Sequence, residues 1–258
     1  MQKEEERRQP PVIRLESISK SYLHGSQQVK VLEDISLAVR RKEFLCVLGP
    51  SGCGKSTLLS LISGLDRSYT GKIEVEGPLK SRMAFVFQSP RLLPWRNVWD
   101  NVRYGLQASR VFPEEQWDNR ISEAISTVGL SGFESAYPNQ LSGGMQTRVS
   151  IARAFAIDPA ILLMDEPFSN LDEITARRLR KELLAVWERK QMTTIFVTHD
   201  IGESIFLADR IVILTARPGK LHKEISVDLP RPRSYTNPEL ISYESALLAE
   251  LEKILEPA

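Results

Sequence analysis

Cysteine is scarce. Cys46 and Cys53 are the only two in 258 residues, and they form neither a disulfide framework nor a zinc ligand set. A reducing cytoplasm is therefore the expected compartment. An excess of one charge is lacking too. Lys and Arg number 34 against 33 Asp and Glu, a net charge of +1, so no overall basic field speaks for nucleic-acid binding. No apolar run approaches the ~20 residues that span a bilayer. The first eight residues, Met1-Gln2-Lys3-Glu4-Glu5-Glu6-Arg7-Arg8, carry acid where a signal peptide needs an apolar stretch. Internal repeats and low-complexity tracts are missing as well. These absences exclude secreted scaffolds, collagen, coiled coils and integral membrane proteins as readings. What is present, 42% hydrophobic and 26% charged residues, fits an ordinary globular chain long enough to bury a large core.

Residues 1–11 are charged, end in Pro10-Pro11, and read as a frayed tail. Ile13, Leu15 and Ser17 then alternate with Arg14 and Glu16, and Ile35, Leu37 and Val39 with Ser36, Ala38 and Arg40. That period predicts two antiparallel strands with one wet face, joined by a turn from Leu23 to Gln28. Phe44–Leu48 is a continuous apolar run, the pattern of a strand buried on both faces. Further short runs are Met83–Phe87, Ile161–Met164, Thr194–Val197 and Ile211–Leu214, mostly separated by helical patterns, which predicts a parallel sheet covered on both sides. From Asn97 to Gly129 only helix is expected. Trp117, Ile121, Ile125 and Val128 form one stripe, opened by Pro113-Glu114-Glu115 and closed by Gly129. A last helix is predicted behind Asn237-Pro238, with Leu240, Leu247, Leu251 and Ile254 as its apolar stripe. The chain ends soon after it, so no large regulatory domain is expected.

Gly49-Pro50-Ser51-Gly52-Cys53-Gly54-Lys55-Ser56-Thr57 matches G-x-x-x-x-G-K-[ST], between the buried strand and a helix predicted from Lys55 to Ser63 with Gly64 as its stop. Glycines let several backbone N–H groups converge on one anion, and the helix N-terminus adds its dipole. Lys55 would reach the β and γ phosphates of a nucleotide, and the Ser56 hydroxyl is a hard ligand for Mg²⁺. Cys53 reads as a small filler.

The run Ile161–Met164 ends in Asp165-Glu166. At the carboxyl end of a parallel strand Asp165 would hold Mg²⁺, and Glu166 would polarise a water for in-line attack on the γ phosphate. Gln88 and His199 end two other runs. Gln88 could touch metal or water, and His199 could donate to a γ-phosphate oxygen. Ser142, Gly143 and Gly144, within Leu141-Ser142-Gly143-Gly144-Met145-Gln146, precede a helix predicted over Gln146 to Ala156 and make a second anion site.

Taken in order along the chain, the phosphate loop, Gln88, the Leu-Ser-Gly-Gly signature, Asp165-Glu166, Asp172 within Ser169-Asn170-Leu171-Asp172, and His199 resemble the ATP-binding subunit of ABC transporters, from Ile13 to about Leu255. Leu92-Leu93-Pro94-Trp95, Thr198-His199-Asp200-Ile201, Ala216-Arg217-Pro218-Gly219 and Leu229-Pro230-Arg231-Pro232-Arg233 look like the nitrate, sulfonate and taurine importer branch. Two positions depart from the family pattern: Asn170 replaces a small residue, and Thr147 a Gln or Arg. The resemblance implies a P-loop NTPase (RecA-like) α/β core over residues 12–235, with an N-terminal antiparallel β subdomain and an inserted helical subdomain over about 89–157. Residues 236–258 would form a C-terminal helix packed on that domain. It implies ATP and Mg²⁺ as ligands, with Tyr22 stacked on adenine and Asp172 at the nucleotide site. It also implies ATP hydrolysis coupled to import of a small anionic solute such as an aliphatic sulfonate, taurine or nitrate. The partners would be an identical subunit in a head-to-tail homodimer, membrane permease subunits received in a groove beside the helical insertion, and an external solute-binding protein. No nucleic acid is expected, and the place would be the cytoplasmic face of the cell membrane. Two alternatives are a soluble ABC-type ATPase acting apart from transport and a phosphoryl-transfer kinase. Against them stand a single cassette without a heptad run, and a signature that a kinase would not use.

Overall fold

The computed structural model describes residues 10–255, which fall into two units, 10–76 with 193–255, and 77–192. Most of the charged tail, residues 1–9, lies outside the described residues. In the first unit β1 (Ile13–His24) and β2 (Gln27–Val39) form an antiparallel hairpin whose last pair is His24 with Gln27. The turn is thus only Gly25-Ser26, shorter than the predicted Leu23 to Gln28. Gly25 sits at φ 62, a conformation that lets two strands join through two residues. A second correction concerns Ser17. Its φ of 49 and the register shift between Leu15 and Ile18 mark a bulge. The inward series therefore runs Ile13, Leu15, Ile18, and Ser17 is exposed. On β2 the expected Ile35, Leu37 and Val39 are buried.

All five residues of β3 (Phe44–Leu48) are buried. Next comes α1 (Lys55–Ser63), where Leu58, Leu59, Leu61 and Ile62 turn inward, each worth about 1.5–3 kcal/mol of burial. Gly64, at φ 75, closes it by donating its N–H to the Leu61 carbonyl. β4 (Thr70–Val75) then pairs antiparallel with the free side of β1, completing a three-stranded sheet.

The second unit opens with a single turn, α2 (Gly77–Lys80), and β5 (Met83–Val86). Helices follow: α3 (Val98–Ser109), α4 (Trp117–Thr127) and α5 (Gly143–Ala156). Asn97 caps α3 by accepting from the Asp100 N–H at 2.8 Å. Buried Asn101 accepts from the Leu93 N–H and donates to the Leu93, Arg96 and Asn97 carbonyls, which folds the Leu-Leu-Pro-Trp loop onto the helix. The stripe Trp117, Ile121, Ile125 and Val128 is buried as expected. Glu114–Gln116, however, form a separate 3-10 turn ahead of α4 rather than its first turn. Likewise α5 starts at Gly143, three residues before the predicted Gln146, because Ser142 caps it. β6 (Ile161–Asp165) runs parallel to β5, Val86 opposite Met164, and α6 (Glu173–Lys190) follows.

The chain then returns to the first unit. β7 (Thr193–Thr198) lies parallel to β3 on one side. After α7 (Ile201–Leu207), β8 (Arg210–Leu214) lies parallel on the other side. β9 (Leu221–Ser226), an unpredicted strand, pairs antiparallel with β8. α8 (Pro238–Leu255) packs on α7 with Leu240 and Leu247 buried, and Asn237 accepts from the Glu239 N–H at its start. Between these elements buried Arg233 donates to the carbonyls of Ile205, Phe206 and Ala208 at the end of α7 and to those of Val227 and Leu229. Burial lowers its pKa to about 10, so it stays charged at neutral pH. Among the described residues no helix is long and apolar enough to cross a membrane.

Candidate nucleotide site

The first unit carries the phosphate loop, Tyr22 and His199. Leu48 ends β3, and residues 49–54 curl into the N-terminus of α1. Gly54 holds φ 107, and a Cβ there would also lie 3.1 Å from the Val31 carbonyl oxygen, so a side chain at this position would be strained. Lys55 is only 4% exposed, and its ammonium donates to the Gly49 and Pro50 carbonyls at 2.8 and 3.0 Å, folded over the loop. Beside the loop opens a pocket of about 480 Å³. One wall is apolar, made by Tyr22, Leu23, Val29 and Val31 of the hairpin. Its other side is Gly52, Gly54, Ser56 and Thr57, and Arg217 contributes its one charged lining side chain among the described residues.

Tyr22 is 42% exposed, which sets aside an ordinary core tyrosine. Its hydroxyl donates to Asp66 at 3.1 Å, and the Lys20 ammonium, itself 2.7 Å from Asp66, lies 4.5 Å from the ring centre. The Lys20 hydrogen bond, first among several, keeps the Asp66 carboxyl below its usual range. His199 follows Thr198, which pairs with Leu48, so it stands at the carboxyl edge from which the phosphate loop departs. Its neighbours are tied down. Thr198 Oγ1 donates to buried Glu203 and accepts from the Asp200 N–H, while Asp200 accepts from the Glu203 N–H.

The second unit carries the remaining candidates. Asp165 ends β6, and Glu166 follows with φ 41, a left-handed conformation unusual for a glutamate and typical of functional strand ends. Gln88 lies two residues beyond β5, as Glu166 lies two beyond Met164, so the β5–β6 register brings them to one edge. Gln88 donates to Ser169 Oγ at 3.2 Å, and that hydroxyl donates to the Glu166 carbonyl at 3.0 Å. Ser142 caps α5, accepting from the Met145 N–H at 3.3 Å, and a Cβ at Gly143 would meet open space. Asp172 caps α6 through the Thr175 N–H at 3.0 Å, the main cause of its lowered pKa.

These groups fit a magnesium nucleotide. An exposed, oriented aromatic ring suits a base. A curled loop at a helix N-terminus with the Lys55 ammonium folded over it suits phosphates. Within the first unit the Ser56 hydroxyl, and within the second the Gln88 amide and the Asp165 carboxylate, are hard oxygen donors of the kind Mg²⁺ takes. Sequence reasoning gave no role to Lys20, Asp66, Glu203, Arg217 or Arg233. Arg217 and Arg233 fall within two importer-branch motifs, whereas Lys20, Asp66 and Glu203 carried no sequence signal.

Comparison with known proteins shows the family. Residues 32–169 match the family described as "ABC transporter". The chain is 46% identical to an uncharacterized ABC transporter ATP-binding protein of Methanocaldococcus jannaschii, over 92% of this chain and 90% of that one. It is 48% identical to the aliphatic sulfonates import ATP-binding protein SsuB of Bacillus licheniformis, over 90% and 91%. Among solved structures, a dimeric ATP-binding cassette in a post-hydrolysis state bound to ADP and Pi superposes with a TM-score of 0.74, at 31% identity, covering 84% of this chain and all of that one.

Proposed function

Because the chain belongs to the ABC transporter family, we propose that it is the ATP-hydrolysing subunit of an importer for aliphatic sulfonates. The observation that carries the solute is the 48% identity with SsuB over nine-tenths of both chains. It narrows the expected range of sulfonate, taurine or nitrate to the first, and it favours a transport role over a free-standing ATPase.

The chain's own residues divide the work of hydrolysis. Tyr22 receives the adenine ring, while the N–H groups of the loop from Gly49 and Pro50 through Ser51, Gly52, Cys53 and Gly54 to Lys55, Ser56 and Thr57 hold the phosphates, with Lys55 adding its charge. Ser56, Gln88 and Asp165 would hold Mg²⁺, which would supply positive charge to the phosphates. Glu166 accepts a proton from the attacking water as the bond from the γ phosphorus to ADP breaks, and His199 donates to a γ oxygen. Ser142, Gly143, Gly144 and Asp172 serve the nucleotide of a second, identical subunit, so that two ATP molecules lie between two chains.

The subunit sits on the cytoplasmic face of the membrane and drives a permease fed by an external solute-binding protein. A groove of about 410 Å³, lined by Met83, Phe85, Phe87, Tyr104, Ala108 and Ile157 among others, is the seat for a permease helix, and Trp95, 70% exposed, lies in the same unit. The test is reconstitution with the permease in vesicles. ATPase activity should rise with binding protein loaded with an alkanesulfonate and not with nitrate. Stimulation by nitrate alone would overturn the solute, and ATPase indifferent to the permease would overturn the transport role.

A further inference from the structure

The turn Ala216-Arg217-Pro218-Gly219 between β8 and β9 has no part in the reading above, yet it lies against the phosphate loop. We propose that Arg217 is a nucleotide-binding residue, supplying the phosphate chain with a second cation beside Lys55. The inference rests on the pocket being the ATP site.

Its first support is position. Arg217 lines the same pocket as Tyr22 and the phosphate loop. Nε and Nη2 both donate to the Gly52 carbonyl, at 3.3 and 3.2 Å, the guanidinium's hydrogen-bonding partner among the described residues. Gly52 lies inside the loop whose N–H groups converge on phosphate. A carbonyl oxygen beside a polyanion repels it. The guanidinium covers that oxygen and leaves Nη1 and the second Nη2 proton available to a phosphate, which its planar fork matches well.

The second support is that the turn is fixed before any ligand arrives. Gly219 donates to the Val31 carbonyl at 2.8 Å and accepts from the Glu33 N–H at 3.0 Å. Thr215 Oγ1 donates to the Pro218 carbonyl at 3.0 Å. A Cβ on Gly219 would lie 2.2 Å from the Cys53 carbonyl oxygen, so the turn and the phosphate loop touch backbone to backbone. An ordinary surface arginine samples many rotamers on a mobile loop. This one stands on a turn bonded to β2 and pressed against the loop, so little ordering remains to be done on binding.

The test is equilibrium binding of non-hydrolysable ATP and GTP analogues, with Mg²⁺, to the full chain. Arg217→Gln should weaken both analogues by the same factor, about tenfold, as expected for a partly exposed charge-assisted contact. The loss should shrink in high salt, and Arg217→Lys should fall between. Lys72→Gln, a solvent-facing cation on β4, serves as the unaffected control. Affinity within twofold of wild type overturns the inference, as does a loss confined to one purine. A lowered nucleotide-free Tm accompanying the affinity loss would assign Arg217 to holding the turn, and that too overturns it. Lys55→Ala separates the levels. If it loses binding while Arg217→Gln keeps it, only this inference fails, and if Lys55→Ala also binds normally, the assignment of the pocket fails with it.

Discussion

Glu166 and Asp165 are adjacent carboxylates with different surroundings. Asp165 is the buried last residue of β6, whereas Glu166 is more open and held at φ 41. A buried carboxylate beside a more open one suits one ligand and one base. Glu166→Gln should therefore keep ATP binding and slow hydrolysis by about 10²–10⁴-fold, the range for losing a general base. Single-turnover hydrolysis checks this, and a normal rate would remove Glu166 from that role. Tyr22 presents a second case. Asp66 and Lys20 hold its phenol and lie near its ring, so the ring does not need a ligand to be placed. Tyr22→Ala should cost about 1–3 kcal/mol of nucleotide affinity, the usual worth of a stacking platform, and Tyr22→Trp should be tolerated. Titration calorimetry with ADP distinguishes the two variants, and an alanine variant of equal affinity would refute the stacking role.

Among the elements, α8 is held to β9 by one carboxylate. Glu250 accepts from Lys223 at 2.8 Å, Lys253 at 3.1 Å and His222 at 3.2 Å. These partners, Lys223 first, bring its pKa down to about 2. A carboxyl with a depressed pKa stabilises the fold fully above its unfolded value near 4.5 and loses that contribution as pH falls toward 2. Hydrogen exchange of the α8 amides should accordingly quicken between pH 4.5 and 2, and Glu250→Gln should raise exchange at neutral pH and flatten that dependence. Equal pH profiles in the two proteins would show that the attachment lies elsewhere. The same scale shows what could be read from residues alone. β3 and β7 were legible because two-sided burial leaves an unbroken apolar run, the phosphate loop because its spacing is set by its ligand, and α1 because it follows that loop and stops at Gly64. β4 and β9 were not, since neither strand has a buried residue, Lys72 and Glu74 interrupt the first, and His222, Lys223 and Glu224 stand in a row in the second. The start of α5 was missed because two glycines read as loop, although Ser142 caps them into a helix. The role of Arg217 was beyond reach, because its contact with Gly52 spans 165 positions and depends on Gly219 meeting Cys53.

For the whole molecule, a net charge of +1 gives two copies no strong repulsion to overcome. One chain has one phosphate loop and one Ser142-Gly143-Gly144 cap, and the proposed site joins the loop of one copy to the cap of another. Mixing Lys55→Ala with Ser142→Arg chains should then restore activity above either parent on the permease, because one mixed pairing is intact. A Glu166→Gln protein should dimerise with saturating ATP in light scattering. If it stayed monomeric both alone and on its permease, shared sites would be ruled out. The two thiols have a practical bearing on such measurements. Cys46 lies fully buried in the middle of β3, where burial pushes its pKa well up, and Cys53, within the phosphate loop, is 1% exposed. Maleimide dyes should leave the native chain unmarked, so a reporter cysteine placed on the surface can be labelled for distance spectroscopy without first removing the native pair. Slow uptake of dye at Cys46 then becomes a clock for opening of the parallel strands, and uptake at Cys53 one for loosening of the phosphate loop itself.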